Sequence, residues 1–400
     1  MDYQTYIQQY IIKNPPMSHT HNFCRKLAFK CYNLYPELTH KTLLECSKMT
    51  LNRLFKEFPA GKEALVRQRR INFALKLPDA WIIQGSQEWH NKRARTITGT
   101  LVYDIINTPG SRFSAMMKKL VPEPKITDLR DAIPSCRHGI IFEDIAKAYY
   151  EMIHGVQTKE LSCINHREHP ILGASPDGAV MTTNVPLDKL NEQHGRLIEI
   201  KCPISRVPKP DSIPEDYRHQ MMLQMECMKI NECDFIEFVF DNKSIGLMSE
   251  FIDTEVGGQS GTAVDNIAKG YFLMDADMSK KIGFKIYTTT EVDKIELRNL
   301  VRNPDIKVFY WTLKKYQRQI VKLDTSWLPT NIEKFYNFYN ELEEHRKNST
   351  LPEPPKELAE KRARRDNKMT IDFTNDMVQL AKDIKSPKKP RVNQFDFCHL

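Results

Sequence analysis

Three charged side chains within a short span of this chain set the chemistry open to it. Asp177 stands in Ser175-Pro176-Asp177-Gly178, and Glu199 and Lys201 follow in the run Leu197-Ile198-Glu199-Ile200-Lys201-Cys202. That run reads as a β-strand, on which alternate side chains share a face. Glu199 and Lys201 then project together while Ile198 and Ile200 face the other way. With Asp177 at the end of an adjacent strand, two carboxylates and an ammonium converge, which is the layout of a metal-dependent phosphodiester hydrolase. Such a reaction must stabilise charge on a pentavalent phosphorus and deliver hydroxide at neutral pH, and Mg²⁺ or Mn²⁺ held by carboxylates can do both. Mg²⁺ takes hard oxygen ligands, one or two of them carboxylates. Asp177 and Glu199 are the expected ligands, with the backbone carbonyl of Ile200 as a third oxygen. Lys201 is placed to position or help deprotonate the attacking water.

Other residues carry weaker signals. Glu143 falls mid-helix beside Phe142, where a carboxylate is expensive to bury without a partner. Alone it reads as an edge residue in a salt bridge; beside Asp177 and Glu199 a supporting role at the metal becomes the better reading. Arg93, four residues after Trp89, precedes the turn Ile97-Thr98-Gly99-Thr100. It suits a bidentate phosphate contact, with a solvated helix arginine as an equal alternative. Gln220 and Gln224 share one helix face among methionines, which fits either a polar target or an interhelix hydrogen bond.

The elements that must position these groups follow from periodicity. Residues 1–78 read as a small helical region, with helical spacing over Thr42–Phe58 and Lys62–Leu77. Another helical stretch is expected from Asp79 to Pro109, and a helix over Gly139–Gly155 that stops at Gly155. Leu161–Val180 reads as a β-hairpin ending at Pro176-Asp177-Gly178. The strand Leu197–Cys202 follows, then a methionine-rich helix over Pro214–Lys229 and a strand over Asp234–Phe240. A Gly/Ser loop (Gly257-Gly258-Gln259-Ser260-Gly261) leads into mixed segments and a helix over Asn331–Lys347. This order suggests an α/β or α+β core, a mixed sheet with helices on both faces, over residues 79–347. Residues 348–400 read as a charged tail, poorly ordered from 384.

Composition narrows the class. The chain has 400 residues, 40% of them apolar and 10% aromatic, as in an ordinary globular protein. No apolar run is long enough to cross a membrane, and Met1-Asp2-Tyr3-Gln4 does not open a secretion signal, so an intracellular protein is expected. Nine scattered cysteines without a Cys-x-x-Cys pair argue for reduced thiols rather than disulfides or a zinc site. The net charge of +8 is compatible with a polyanionic partner. Basic clusters occur at Arg67, Arg69 and Arg70; at Lys92, Arg93 and Arg95; and at 361–365 and 388–391.

Taken in order, these residues resemble the phage lambda exonuclease branch of the PD-(D/E)xK nuclease superfamily, and within it the baculovirus alkaline exonucleases. Trp89-His90-x-x-Arg93 leading to Ile97-Thr98 matches the arginine motif, with Thr100 at the small hydroxyl position. Gly139-x-x-Phe142-Glu143 matches the helix glutamate motif. Ser175-Pro176-Asp177-Gly178 and Glu199-Ile200-Lys201-Cys202-Pro203 match the metal and lysine motifs. Gln220-x-x-x-Gln224-Met225, read in register from Cys233-Asp234-Phe235, matches the glutamine helix and assigns the active-site glutamine to Gln220. Met222 stands where a second glutamine is usual, so Gln224 stays open as the alternative. The resemblance implies a PD-(D/E)xK core and a Mg²⁺-dependent 5′→3′ exonuclease on double-stranded DNA ends, active at alkaline pH. It implies Asp177, Glu199 and Glu143 at the metal, Lys201 and Gln220 organising the nucleophile, and Arg93 and Thr100 on phosphate. It further implies a viral single-stranded DNA-binding protein as partner, a role in viral replication, recombination and genome maturation, and residence in the host nucleus. An endonuclease using the same site and a non-catalytic DNA-binding scaffold are the alternatives. The oligomeric state stays open.

Overall fold

The computed structural model describes residues 1–17, 20–121, 128–244, 263–264, 268–287 and 293–360. Four helices open the chain: α1 (Tyr3–Lys13), α2 (Thr20–Leu34), α3 (His40–Glu57) and α4 (Pro59–Ala74). Their starts are chemically marked. The Asp2 carboxylate accepts the N–H groups of Gln4 and Thr5, Thr39 caps α3, and Pro59 opens α4 where its missing N–H costs nothing. Leu43, Ser47, Leu51 and Leu54 form the buried stripe of α3 and pack with Ile7, Ile11, Leu27, Cys31 and Leu65. The expected helices at 42–58 and 62–77 are therefore present, within a four-helix layer. Arg67 ties this layer to the rest of the chain: its guanidinium donates to the carbonyls of His194 (3.1 Å) and Glu192 (2.6 Å) and to the Glu232 carboxylate (3.3 Å).

The stretch 79–109 is not one helix. A turn at Pro78–Trp81 leads to α5 (Gln87–Ala94), a two-residue strand β1 (Ile97–Thr98), and α6 (Gly99–Asn107); α7 (Pro109–Leu120) follows. The breaks have local causes. Gly85 adopts φ +80°, Ser86 caps α5 by accepting the Trp89 N–H, and the β-branched Thr96-Ile97-Thr98 favours extended backbone. Thr108 and Ser111 cap α7 reciprocally. Next comes α8 (Pro134–His154), which starts five residues before the expected Gly139 because Pro134 suits a first turn, and ends at Gly155 in the left-handed conformation.

The expected hairpin over 161–180 is divided between two sheets. After β2 (Thr158–Lys159), strands β3 (Ile164–Asn165) and β4 (Leu172–Ala174) pair antiparallel, and β4 lies parallel to β1. The next strand, β5 (Gly178–Val180), joins the main sheet instead, so Pro176-Asp177 is the transfer point. The main sheet continues through β6 (Leu197–Lys201), the crossover helix α9 (Glu215–Met228) and β7 (Glu232–Ser244), parallel to β6. Strands β8 (Ala263–Val264), β9 (Lys269–Asp275) and β10 (Lys281–Tyr287), helix α10 (Lys294–Arg302), strand β11 (Ile306–Lys322) and helix α11 (Trp327–Asn348) complete the described chain. Strand order is β10-β9-β11-β7-β6-β5-β2, with β8 beside β11.

Helices cover both faces, as the sequence predicts. On one face α8 buries Phe142, Ile145 and Tyr149 against Ile198, Ile200, Ile236, Phe238 and Trp311. On the other, Leu101, Met116, Met221, Met225 and Phe335 pack on Leu197, Cys233 and Phe235. Full burial of each such side chain is worth about 1.5–3 kcal/mol. The Gly/Ser loop at 257–261 and the basic clusters at 361–365 and 388–391 lie outside the described residues. The described cysteines are free thiols.

Candidate active site

Strand alternation places the central residues. Leu197 and Glu199 turn toward α9, while Ile198 and Ile200 turn toward α8. Strand β5 pairs with β6 only as far as Gly178 opposite Ile198, so Glu199 and Ile200 extend past its start. Asp177, immediately before β5, fills that gap, and its Oδ2 accepts the Ile200 N–H at 2.7 Å. The N–H and C=O of one strand residue point to the same edge, so the Ile200 carbonyl also faces the Asp177 side. The fold thus brings Asp177, Glu199 and Ile200 together.

Glu199 is 0% exposed and fully engaged. Its Oε1 accepts from Gln220 Nε2 at 2.6 Å and from the Lys201 ammonium; its Oε2 accepts from Gln224 Nε2 at 2.7 Å. Both glutamines therefore hold the same carboxylate, one oxygen each, and the polar stripe of α9 has its target. Lys201 also lies over the Tyr217 ring, 5.0 Å from its centroid.

The electrostatics are unbalanced. Burial, then the nearby Glu199 charge, pushes the Asp177 carboxyl well above its usual range, against the pull of Lys201. Burial works against the Lys201 ammonium, but the Glu199 and Asp177 carboxylates outweigh it and hold the proton more tightly than usual. Glu143 is solvent-accessible and forms no hydrogen bond or ion pair among the described residues, so the salt bridge that its sequence context allowed is absent. Crowding by surrounding protein, opposed by Lys201 and reinforced by Glu199, raises its carboxyl. It belongs to the rim rather than to the packed centre.

Arg93 and Thr100 line a separate cavity of about 520 Å³ with Gln87, His90, Thr98 and Lys119. The Arg93 guanidinium stacks on Trp89, 4.4 Å from the ring, which explains the four-residue spacing. Two features here had no sequence signal. Lys119, from α7, donates to the carbonyls of Arg93 and Thr96, and burial followed by Arg93 and Arg346 pushes its ammonium down to about 7. Gly99, at the start of α6, abuts Gln220 so closely that an added Cβ would lie 3.0 Å from its Cγ. That contact makes the arginine cavity the neighbour of the Glu199 cluster.

No three His, Cys, Asp or Glu side chains among the described residues form a ready cage for a metal. The donor set nonetheless fits a hard cation that takes one or two carboxylates and keeps its waters: Asp177, Glu199 and the Ile200 carbonyl converge, with Glu143 at the mouth. Two polar atoms of this neighbourhood, Gln224 Oε1 and Ser175 Oγ, are buried without a partner among the described residues.

Residues 88–231 match the family described as the YqaJ-like viral recombinase domain. That segment contains Arg93, Thr100, Glu143, Asp177, Glu199, Lys201, Gln220 and Gln224. An uncharacterised protein of Acanthamoeba polyphaga mimivirus is 24% identical over 380 residues; the match spans 82% of this chain and 65% of that protein's length. Among solved structures, an alkaline exonuclease (LHK-Exo) from Laribacter hongkongensis is 20% identical, with 65% of this chain and 94% of that chain covered and a TM-score of 0.37. A phage-related exonuclease from Haemophilus somnus 129PT is 11% identical, with 62% and 96% covered and a TM-score of 0.33. Scores this low leave the fold to rest on this chain's own topology.

Proposed function

We propose that this chain is a Mg²⁺-dependent deoxyribonuclease that degrades double-stranded DNA from its ends in the 5′→3′ direction, within viral recombination, replication and genome maturation. The observation that carries the reading is the convergence of Asp177, Glu199 and Lys201 past the start of β5, inside a segment that matches a viral recombinase family. Asp177, Glu199 and the Ile200 carbonyl would hold the cation, with Glu143 supporting from the rim; Mn²⁺ fits the same donors. When bound, such a cation supplies neutralisation of charge on the phosphoryl oxygens. Lys201 Nζ, whose proton the Glu199 and Asp177 carboxylates hold tightly, donates to and orients the attacking water as an ammonium; an alkaline optimum then follows from the water's own loss of a proton as pH rises. Gln220 and Gln224 fix the Glu199 carboxylate, and Arg93 with Thr100 takes the terminal phosphate. A viral single-stranded DNA-binding protein as partner and the host nucleus as location belong to the same reading. Among the described residues, no helix is long and apolar enough to cross a membrane.

The test is digestion of a 5′-phosphorylated linear duplex with Mg²⁺, beside a closed circular plasmid. Wild type should shorten the linear duplex, and Asp177→Ala and Lys201→Ala should not. Equal rates in either variant refute the assignment, and rapid nicking of the circle makes the site an endonuclease. Independently of turnover, Mg²⁺ should raise the melting temperature of wild type and leave that of Asp177→Asn in place.

A further inference from the structure

Residues 1–78 play no part in the site above, yet they hold an excess of charge. Thirteen Lys and Arg stand against five Asp and Glu, an excess of eight that equals the net charge of the whole chain. Helix α2 concentrates the imbalance: its 15 residues include Arg25, Lys26 and Lys30 and no carboxylate. Cys24, Leu27, Ala28 and Cys31 bury its inner side, which fixes the opposite side toward solvent. There Arg25 and Lys26 are exposed and enter no ion pair or hydrogen bond among the described residues. They line a cavity of about 490 Å³ with Asn22, Phe29 and His40. Phe29 is 63% exposed in the middle of these groups, and Tyr32 is 42% exposed one turn on.

We infer that this outer face of α2 binds single-stranded DNA. The basic groups match the charge of a phosphodiester backbone, and no carboxylate lines the cavity to repel it. The exposed ring decides between single and double strands. A duplex keeps the faces of its bases stacked on one another, whereas an unpaired base can stack on an aromatic side chain. Positive charge around a solvent-facing aromatic is the combination that holds unpaired nucleotides. The inference rests on the reading of the chain as a nuclease that removes one strand of a duplex and leaves the other unpaired. Arg67, bonded to Glu192, His194 and Glu232, fixes the helical layer to the nuclease core, so the retained strand would stay on the same molecule.

The test is fluorescence anisotropy of the full chain in EDTA, with a labelled oligothymidine of about 20 nucleotides and a blunt duplex of equal length. Phe29→Ala should weaken oligothymidine binding about tenfold and leave duplex binding in place. Arg25→Glu with Lys26→Glu should weaken it further and flatten the dependence of log K on log salt by about 1.4, for two lost phosphate contacts. Lys294→Glu with Arg298→Glu, the same charge change on α10, should leave oligothymidine binding as in wild type. The inference is overturned if Phe29→Ala has no effect, if it weakens duplex binding equally, or if the α10 pair matches the α2 pair. It is also overturned if Phe29→Ala abolishes binding of polyglutamate while oligothymidine binding stays intact, which assigns the face to an acidic protein. Failure here leaves digestion of duplex by wild type untouched; absence of that digestion overturns the nuclease reading instead.

Discussion

The two glutamines of α9 touch one carboxylate, yet replacing them should have different consequences. Gln220 Nε2 lies 2.6 Å from Glu199 Oε1, and Gln224 Nε2 lies 2.7 Å from Oε2. A hydrogen bond to a charged group contributes about 1.5–3 kcal/mol, so removing either donor should cost about that much. Gln224 differs in its other half: its Oε1 is buried with no partner among the described residues, a defect of about 1–3 kcal/mol that disappears with the amide. Methionine has nearly the volume of glutamine and suits the methionine-lined surroundings of Met221, Met225 and Met228. Gln220→Met should therefore lose about 1.5–3 kcal/mol, or roughly 2–4 °C in melting temperature for a chain of this size. For Gln224→Met loss and gain should nearly cancel, leaving a shift of about 1 °C or less. Thermal unfolding in EDTA at one pH and scan rate measures both. A fall for Gln224→Met as large as that for Gln220→Met would refute the reasoning, and would mean that Gln224 Oε1 is satisfied in solution.

Three further expectations rest on single contacts. Arg93→Ala should raise KM on a 5′-phosphorylated duplex about 10–100-fold, as expected for losing a bidentate phosphate contact, and should leave the 5′-hydroxyl duplex little changed; equal effects on both would remove the phosphate role. Gly99→Ala should depress kcat more than stability, because its new methyl meets Gln220 Cγ at 3.0 Å and displaces that side chain from Glu199; a normal kcat contradicts the link. The third concerns acid. Burial, then Arg318, pushes the His154 imidazolium down to about 4, whereas the unfolded chain binds its proton near 6.5. Stability is thus full above about 6.5 and is lost as pH falls toward 4, by about 1–2 kcal/mol after discounting for partial exposure. His154→Gln, which keeps a partner for the Tyr316 hydroxyl, should show a shallower fall in melting temperature over that interval.

What could be read from the sequence was whatever local chemistry dictates. The face shared by Glu199 and Lys201 follows from strand alternation alone, and the limits of α8 from Pro134 and Gly155. Asp177 was legible as a residue at a strand end, but its location between two sheets was not. Pro176-Asp177-Gly178 reads as a turn in either case, and only the pairing of β5 with β6 rather than with β4 decides. Register with related motifs favours Gln220 and leaves Gln224 as the alternative, whereas on a helix the two are neighbours that reach the same carboxylate. Lys119 and Gly99 carry no signal, because their importance comes from contacts with Arg93 and Gln220 that no spacing encodes. The break of 79–109 into α5, β1 and α6 was hidden for another reason: its apolar residues fit a helical period, and the caps at Ser86 and Thr108 outweigh that period locally.

The distribution of partners within the site carries one more consequence. Glu199 is buried but compensated by an ammonium and two amides, so its charge is held at modest cost. Asp177, beside it, receives a single backbone N–H, and the pressure of burial and of Glu199 falls on its carboxyl. A protein selected only for stability would replace Asp177 by asparagine, which can accept the same N–H without the charge. An aspartate in a position where the fold opposes its ionisation fits a group whose counter-charge comes from outside the chain. Lys201 cannot be that counter-charge for both carboxylates, because its ammonium is already bonded to Glu199. The deficit lies on the edge where the Ile200 carbonyl faces Asp177 and Glu143 waits at the rim, which is where a divalent cation would restore balance.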